Sequence, residues 1–563
     1  MTVKNNIDAS MAILKAELVL KNAFIINVFT QSIEKNDIAI NGDTIVGIGK
    51  YDGMEELDCT GLFVAPGFID AHVHIESSMV TPEIFSHIVI GKGVTTVIAD
   101  PHEIANVLGM EGIEFMIKNS ENSANDIFFM LPSCVPATNF EDNGATLGAK
   151  ELDVFMNNKS VLGLGEVMDV PSVLNGDEEL LKKIQITKNK NIDGHCPGLS
   201  DKELNAYLCA GITTDHECST YEEALKKVQR GMYVILREGS ATKNLRDLLP
   251  AVNKDNYQRF LFCTDDKHIN DLIKEGTIDN CVRIAIEEGV EPIMVFTMAS
   301  LNAATCYGLK HRGAIAPGYI ADLVIFEDLK EVKIRNVIKS GRKYIKKVLA
   351  TKVASRPSIN CSYVSEDDFN VEYRGEFINV IKTIPYSVET RREKRKAFKQ
   401  GDYLFNVEGE NILKVAVFER HKNTGKKAVG YIEGLGLKNC SIAQTIAHDS
   451  HNIIVVGDNE KDMSLAVNTI IDIGGGIVMV SNGKVLDHLS LPIAGLMTDE
   501  DPIIVKEKVE NLNVIARNYG VKKEFDPFLT LAFMALPVIP DLKITARGVF
   551  DYREFKFIDL FTN

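Results

Sequence analysis

Residues 66–74 read P-G-F-I-D-A-H-V-H, an apolar run that closes on two histidines one residue apart. An extended strand sends residues i and i+2 to the same side, so His72 and His74 can hold one ion between them. The rhythm then repeats along the chain. V-T-T-V-I-A-D closes on Asp100, D-I-F-F-M-L-P-S on Ser133, V-L-G-L-G-E on Glu166 and N-I-D-G-H on His195. G-I-T-T-D-H closes on His216, M-Y-V-I-L-R-E on Glu238, and R-F-L-F-C-T-D-D on Asp266.

These eight apolar runs, most followed by a helix-like stretch, predict a parallel sheet buried on both faces. Eight such units predict an α/β fold of the (β/α)8 TIM-barrel type, whose C-terminal strand ends share one face. The polar residues fall at those ends.

Outward from the barrel, residues 17–49 read as short strands, with Asn41-Gly42 expected at the centre of a type I′ hairpin turn. The later A-P-G-Y-I-A-D-L-V-I-F, residues 316–326, returns to strand character. Both flanks are expected to form one small β-sandwich from residues 1–66 and 310–355, leaving 67–309 to the barrel. One helix is expected from Glu103 onward, another behind the capping box Ser200-Asp201-Lys202-Glu203, and a last one stopped by Gly308. Residues 350–375 turn polar and predict a linker to a C-terminal α/β domain, 365–563. There Gly474-Gly475-Gly476 lacks a following G-K-[ST], so a turn is expected and not a phosphate loop.

The charge balance is 62 basic against 78 acidic residues, a net −16 over 563 residues. Such a surface repels phosphate backbones, which predicts no nucleic-acid partner and leaves a small uncharged substrate open. No run of about 18 uncharged apolar residues appears, and Lys15 and Glu17 interrupt the opening apolar stretch. Neither a membrane span nor a secretory signal is expected. Ten cysteines without a C-x-x-C pair predict reduced thiols and a cytoplasmic setting. A homo-oligomer, a dimer or larger, is expected at this size.

Taken singly, H-x-H, a strand-end glutamate, a lone histidine or an aspartate pair reads as packing, a solvated charge or a helix cap. At successive strand ends His72, His74, Glu166, His195, His216 and Asp265 read as metal ligands. Glu166 offers two oxygens to bridge two ions. Asp265 can ligate and accept a proton while Asp266 orients a substrate. Nitrogen and oxygen donors without cysteine suit zinc, manganese or iron.

The stretches P-G-F-I-D-A-H-V-H and A-P-G-Y-I-A-D-L-V-I-F resemble the amidohydrolase superfamily. More narrowly, H-V-H-I-E-S-S-M, A-D-P-H-E-I-A-N-V, G-L-G-E-V-M, D-G-H-C-P, T-T-D-H-E and C-T-D-D-K are similar to the adenine deaminases. So are A-H-D-S-H-N-I and P-V-I-P-D-L-K-I-T near the C-terminus. The resemblance runs from residue 20 to about 553. It implies two divalent ions per subunit, manganese or iron foremost and zinc as a further option. His72, His74 and Asp265 would hold one ion and His195 and His216 the other, with Glu166 bridging where many amidohydrolases use a carboxylated lysine.

The implied reaction is hydrolytic deamination of adenine to hypoxanthine and ammonia, in purine salvage. An activated water attacks C6, and Asp265 takes its proton and passes one to the departing amine. Protonation at a ring nitrogen calls for a second acid. Glu103, Glu238 and Asp266 are the candidates for that acid or for ring contacts, with His102 and Asp100 at the margin. His448 and His451 either reach the barrel mouth or stabilise their own domain.

The H-x-E and P-C-x-x-C signature of the other base-deaminase class is absent. The competing readings are an amidohydrolase acting on a cyclic amide or N-acyl substrate, and a non-catalytic scaffold. A scaffold is expected to lose ligands, and all six are present.

Overall fold

Each of the eight runs forms a strand: β1 (Phe68–Val73), β2 (Val94–Ala99), β3 (Asp126–Leu131), β4 (Val161–Val167), β5 (Asn191–Gly194), β6 (Thr214–Asp215), β7 (Tyr233–Arg237) and β8 (Phe260–Cys263). The structure is a computed structural model that describes residues 2–346 and 353–562. The start of the expected linker, residues 350–352, and the outermost positions 1 and 563 lie outside the described residues.

Parallel pairing runs β5-β4-β3-β2-β1 and β6-β7-β8. Two seams close the barrel. The Asp265 amide donates to the His72 carbonyl (3.0 Å), and the Thr213 amide donates to the Ile192 carbonyl (3.0 Å).

Ile69, Ala71, Ile98, Met130, Ile235, Leu261 and Cys263 fill the interior. Phe68, Val97, Phe129, Leu164, Val234, Leu236 and Phe262 face the surrounding helices. Full burial of one such leucine stabilises by about 1.5–3 kcal/mol, so strand register is set strongly by which side chains point inward. On β1 this alternation is broken once. Ile69 and Ala71 belong to the interior, yet Val73 packs in the outer layer. The pairing with β2 shifts register between Asp70 and Val73. That irregularity turns His72 and His74, not their neighbours, toward the barrel mouth.

The expected helix from Glu103 is two helices, His102–Leu108 and Met110–Ser120. Gly109 between them adopts φ +61°, a conformation that folds the second helix back. The capping box at Ser200 is present and opens Asp201–Cys209, a contribution of about 1 kcal/mol. The hairpin turn sits one residue later than expected: Asn41 pairs with Thr44, leaving Gly42 and Asp43 in the loop. Only Gly42 of that pair has a positive φ, 61°.

Both flanks share one eight-stranded sheet, in which Leu323–Phe326 pairs with Phe63–Pro66. It bends around Leu20, Ile25, Ile38, Val64, Leu323 and Ile338. In the C-terminal part a ten-stranded sheet carries the helices Glu460–Asp472 and Pro502–Asn518. Gly474, Gly475 and Gly476 all have positive φ and form the turn between that first helix and the strand Gly476–Ser481.

This C-terminal unit is pressed onto the barrel. Ile75, Met79 and Val80 share one apolar cluster with Ala447, Met497 and Phe528. Asp142, in the loop after β3, pairs with Lys426 (2.7 Å) and Arg547 (2.8 Å). Phe140 beside it packs against Phe550 at 4.9 Å. No helix among the described residues is long and apolar enough to cross a membrane.

Candidate metal centre

At the open end of the barrel the six expected ligands meet. His74 Nε2 lies 3.2 Å from Glu166 Oε1 and 3.1 Å from Asp265 Oδ1. His72 Nε2 lies 3.2 Å from His74 Nε2 and 3.6 Å from Asp265 Oδ1. The other Glu166 oxygen faces His195 Nδ1 at 2.7 Å and His216 Nε2 at 3.2 Å. Glu166 thus stands between two groups of donors, with one oxygen toward each.

The donor set fits metal ions, and the tautomer of His74 shows why. His74 Nδ1 donates to the Asp100 carbonyl (3.0 Å), which leaves the Nε2 lone pair aimed at two carboxylate oxygens. That arrangement is repulsive unless positive charge lies among them. Burial and His102 disfavour a charged His74, yet Asp265 and Glu166 push its pKa well above the usual range. The site therefore draws in positive charge. Triplets His72, His74, Glu166 and Glu166, His195, His216 each bring three ligand atoms within 4.8 Å of one another. Five of the six ligands are buried, and the His195 side chain is 26% exposed. The open side of the centre lies there.

A second layer holds the ligands in place. Asp100 accepts the Glu166 amide on Oδ2 (3.0 Å). Gly165 makes this approach possible, because a Cβ there would sit 2.0 Å from Asp100 Oδ2. Arg237 Nη1 donates to Asp265 Oδ2 (2.7 Å), and Nη2 donates to Glu217 Oε2 (3.1 Å). Burial alone would raise the Asp265 pKa. The Arg237 charge and the neighbouring His72 and His74 imidazoles outweigh it and hold the carboxyl well below its ordinary value. Asp265 sits at φ +54°, a left-handed backbone that costs a non-glycine residue about 1–2 kcal/mol.

His102 joins this centre to a second cluster. Its Nδ1 lies 3.3 Å from Glu166 Oε1, and its Nε2 lies 3.3 Å from Glu103 Oε1. Glu103 in turn meets His448 Nδ1 at 2.7 Å and also contacts His451 Nε2. Of the two readings of these histidines, the structure selects the one in which they reach the barrel mouth. Asp266 accepts from Ser77 Oγ at 2.5 Å and groups with His74 and Asp265.

Glu238 is not brought to the ligands. Tyr233 and Ile235 face the barrel interior and Arg237 reaches Asp265, so alternation turns Glu238 to the opposite side. Its charged neighbours are Lys267, Lys243, Glu275 and Arg246, and burial raises its pKa. The residue of this run that reaches the candidate ligands is Arg237, one position before Glu238.

Sequence reasoning also missed Glu217, 3.7 Å from His216 Nε2, although it follows His216 directly in T-T-D-H-E. The signal for Arg237 was the inward register of Ile235 two residues before it.

Residues 63–343 match the amidohydrolase family model, and residues 387–556 match the adenine deaminase C-terminal domain. An adenine deaminase of Clostridium acetobutylicum is 49% identical, over 99% of this chain and all of that one. The chain belongs to the adenine deaminase family. Other members of the family include an adenine deaminase of Bacillus pumilus, 46% identical over 97% of both chains. Adenine deaminase 2 of Carboxydothermus hydrogenoformans is also 46% identical, over 99% of both. The amidohydrolase family is metal-dependent, in keeping with the buried His, Asp and Glu clusters at the barrel mouth.

Proposed function

We propose that this protein converts adenine and water to hypoxanthine and ammonia, and that two divalent ions, manganese or iron with zinc as a further option, occupy the centre. The observation that carries the reading is the bridging position of Glu166 between His72, His74 and Asp265 on one side and His195 and His216 on the other. Bound there, the ions would acidify a water to a pKa of about 7.

Asp265 accepts the proton of the attacking water on Oδ1, the oxygen that Arg237 leaves free, and returns one to the leaving amine. Arg237 keeps the carboxylate ionised before the first transfer and again after the second. Asp266, His102 and Glu103 line the adenine side of the pocket. Burial would raise the pKa of Glu103, but His448, His451 and His102 hold it well below the usual range. Glu103 therefore meets the purine as an acceptor for a ring or amine N–H. Asp266 is then the candidate acid for the ring nitrogen, and Glu238 is set aside because it faces away.

The setting we propose is purine salvage in the cytoplasm by a homo-oligomer. All ten cysteines are unpaired thiols, which suits a reducing compartment.

The test is ammonia and hypoxanthine formation from adenine by manganese-loaded protein, beside Glu166→Gln and a metal count. The expected result is turnover by the wild type with two ions per chain. The variant loses at least about 100-fold, the upper end of the loss for a residue that merely supports a ligand. A metal-loaded wild type that leaves adenine untouched overturns the assignment.

A further inference from the structure

We infer that the C-terminal unit finishes the adenine pocket: His448 and His451 grip the two carboxylate oxygens of Glu103 and fix the direction in which it meets the purine. This rests on the deaminase reading above and assigns the two histidines as positioning residues.

His448 Nδ1 donates to Glu103 Oε1 at 2.7 Å, and His451 Nε2 contacts Glu103 Oε2. All three side chains are buried. Their ligand atoms are close enough for a metal ion, but the tautomer of His451 argues for a clamp. The Ala447 amide donates to His451 Nδ1 (3.2 Å), so the imidazole proton sits on Nε2. Nε2 then donates to Glu103 and has no lone pair for an ion.

The turn that presents these rings is itself held on several sides. The His448 ring stacks on Phe533 (4.5 Å, 29°), and its amide donates to the Ala532 carbonyl (3.1 Å). Fully buried Arg420 grips the His451 carbonyl through Nε and the Ala494 carbonyl through Nη2 (2.9 Å). Asn452 Nδ2 donates to the Asp142 carbonyl of the barrel loop (2.7 Å). A buried guanidinium loses its hydration, and the carbonyls that replace the water hold this turn in one conformation. Glu103 is one imidazole, His102, away from the bridging Glu166. The direction of its carboxylate is therefore set relative to the ions by the C-terminal unit, and a misdirected carboxylate loses catalysis steeply.

The experiment uses the full-length, manganese-loaded enzyme with adenine. His448→Ala and His451→Ala are each expected to keep two ions per chain and the cooperative thermal transition. Each loses about 10–100-fold in kcat/KM, the usual loss for a partner that orients a functional group. His448→Asn and His451→Gln restore an N–H near the lost donor and recover much of that loss. In a Glu103→Ala background the same alanine changes have no further effect beyond about twofold, because they act only through Glu103.

Loss of an ion in either alanine variant, or a full histidine effect in the Glu103→Ala background, overturns the clamp. So does unchanged activity in both. If the alanine variants fail to fold, the Asn and Gln variants decide: near-wild-type kcat/KM supports the clamp, and a 10–100-fold loss with ions retained overturns it. An active wild type with unaffected variants sinks the clamp alone. A wild type inactive on adenine sinks the deaminase reading and the clamp together.

Discussion

The metal centre and the Glu103 cluster lie side by side, joined through His102, yet they are assembled by different means. Every ligand of the centre comes from the end of a barrel strand, so strand register alone brings residues 72 and 265 within 3.6 Å. Glu103 meets His448 and His451 across 345 and 348 residues, through docking of one unit on another. A barrel delivers its own candidate ligands; the Glu103 cluster depends on a surface that packs from outside.

The comparison can be broken most forcefully at Asp265, for which we propose the roles of both ligand and proton acceptor. Asp265→Asn is expected to lower kcat by about 10²–10⁴-fold, as measured by ammonia release with saturating manganese. A smaller loss would move the proton transfer to another group.

Next in size is Arg237, which touches neither ion site directly. Arg237→Met is expected to cost about 10–100-fold and to weaken manganese retention on dialysis. Full activity and full metal content would show that Asp265 orients itself.

On the docking side, Asp142→Ala removes the pairs to Lys426 and Arg547. The expected destabilisation is about 1 kcal/mol or less by thermal unfolding, since one partner is substantially exposed. A loss of activity larger than that of stability would tie the β3 loop to the clamp.

The smallest expected effect is at Glu238. Glu238→Gln is expected to leave kcat/KM within about twofold, because the side chain faces the helices and not the ions. A large loss in steady-state assays would reverse the assignment of faces on β7.

The eight strands and the six candidate ligands that meet at the barrel mouth were legible because both are local patterns. Apolar runs of four to eight residues report burial on two faces, and a polar residue at the end of each reports the barrel mouth. What misled was register at single residues. On β1 an irregularity resets the alternation, and on β7 the side chain that reaches Asp265 is Arg237, the last residue of the strand, where the more conspicuous Glu238 follows. One position flips the face, and composition does not reveal which of two neighbouring charged residues points in. The helix from Glu103 divides at Gly109 for a similar reason: a glycine in a helical pattern is tolerated until packing asks it to turn.

The sequence by itself determined the barrel, the residues that meet at its mouth as candidate metal ligands and, through its resemblance, the family to which the chain belongs. Each follows from periodicity and residue type within a few positions. Only the tertiary structure decided that the Glu103 carboxylate is met by two imidazoles, and that His448 and His451 reach the barrel mouth from the C-terminal unit. No periodicity links residue 103 to residues 448 and 451. Their meeting comes from burial of a shared apolar surface and from a buried arginine that shapes one turn, and those contacts exist only once the chain has folded.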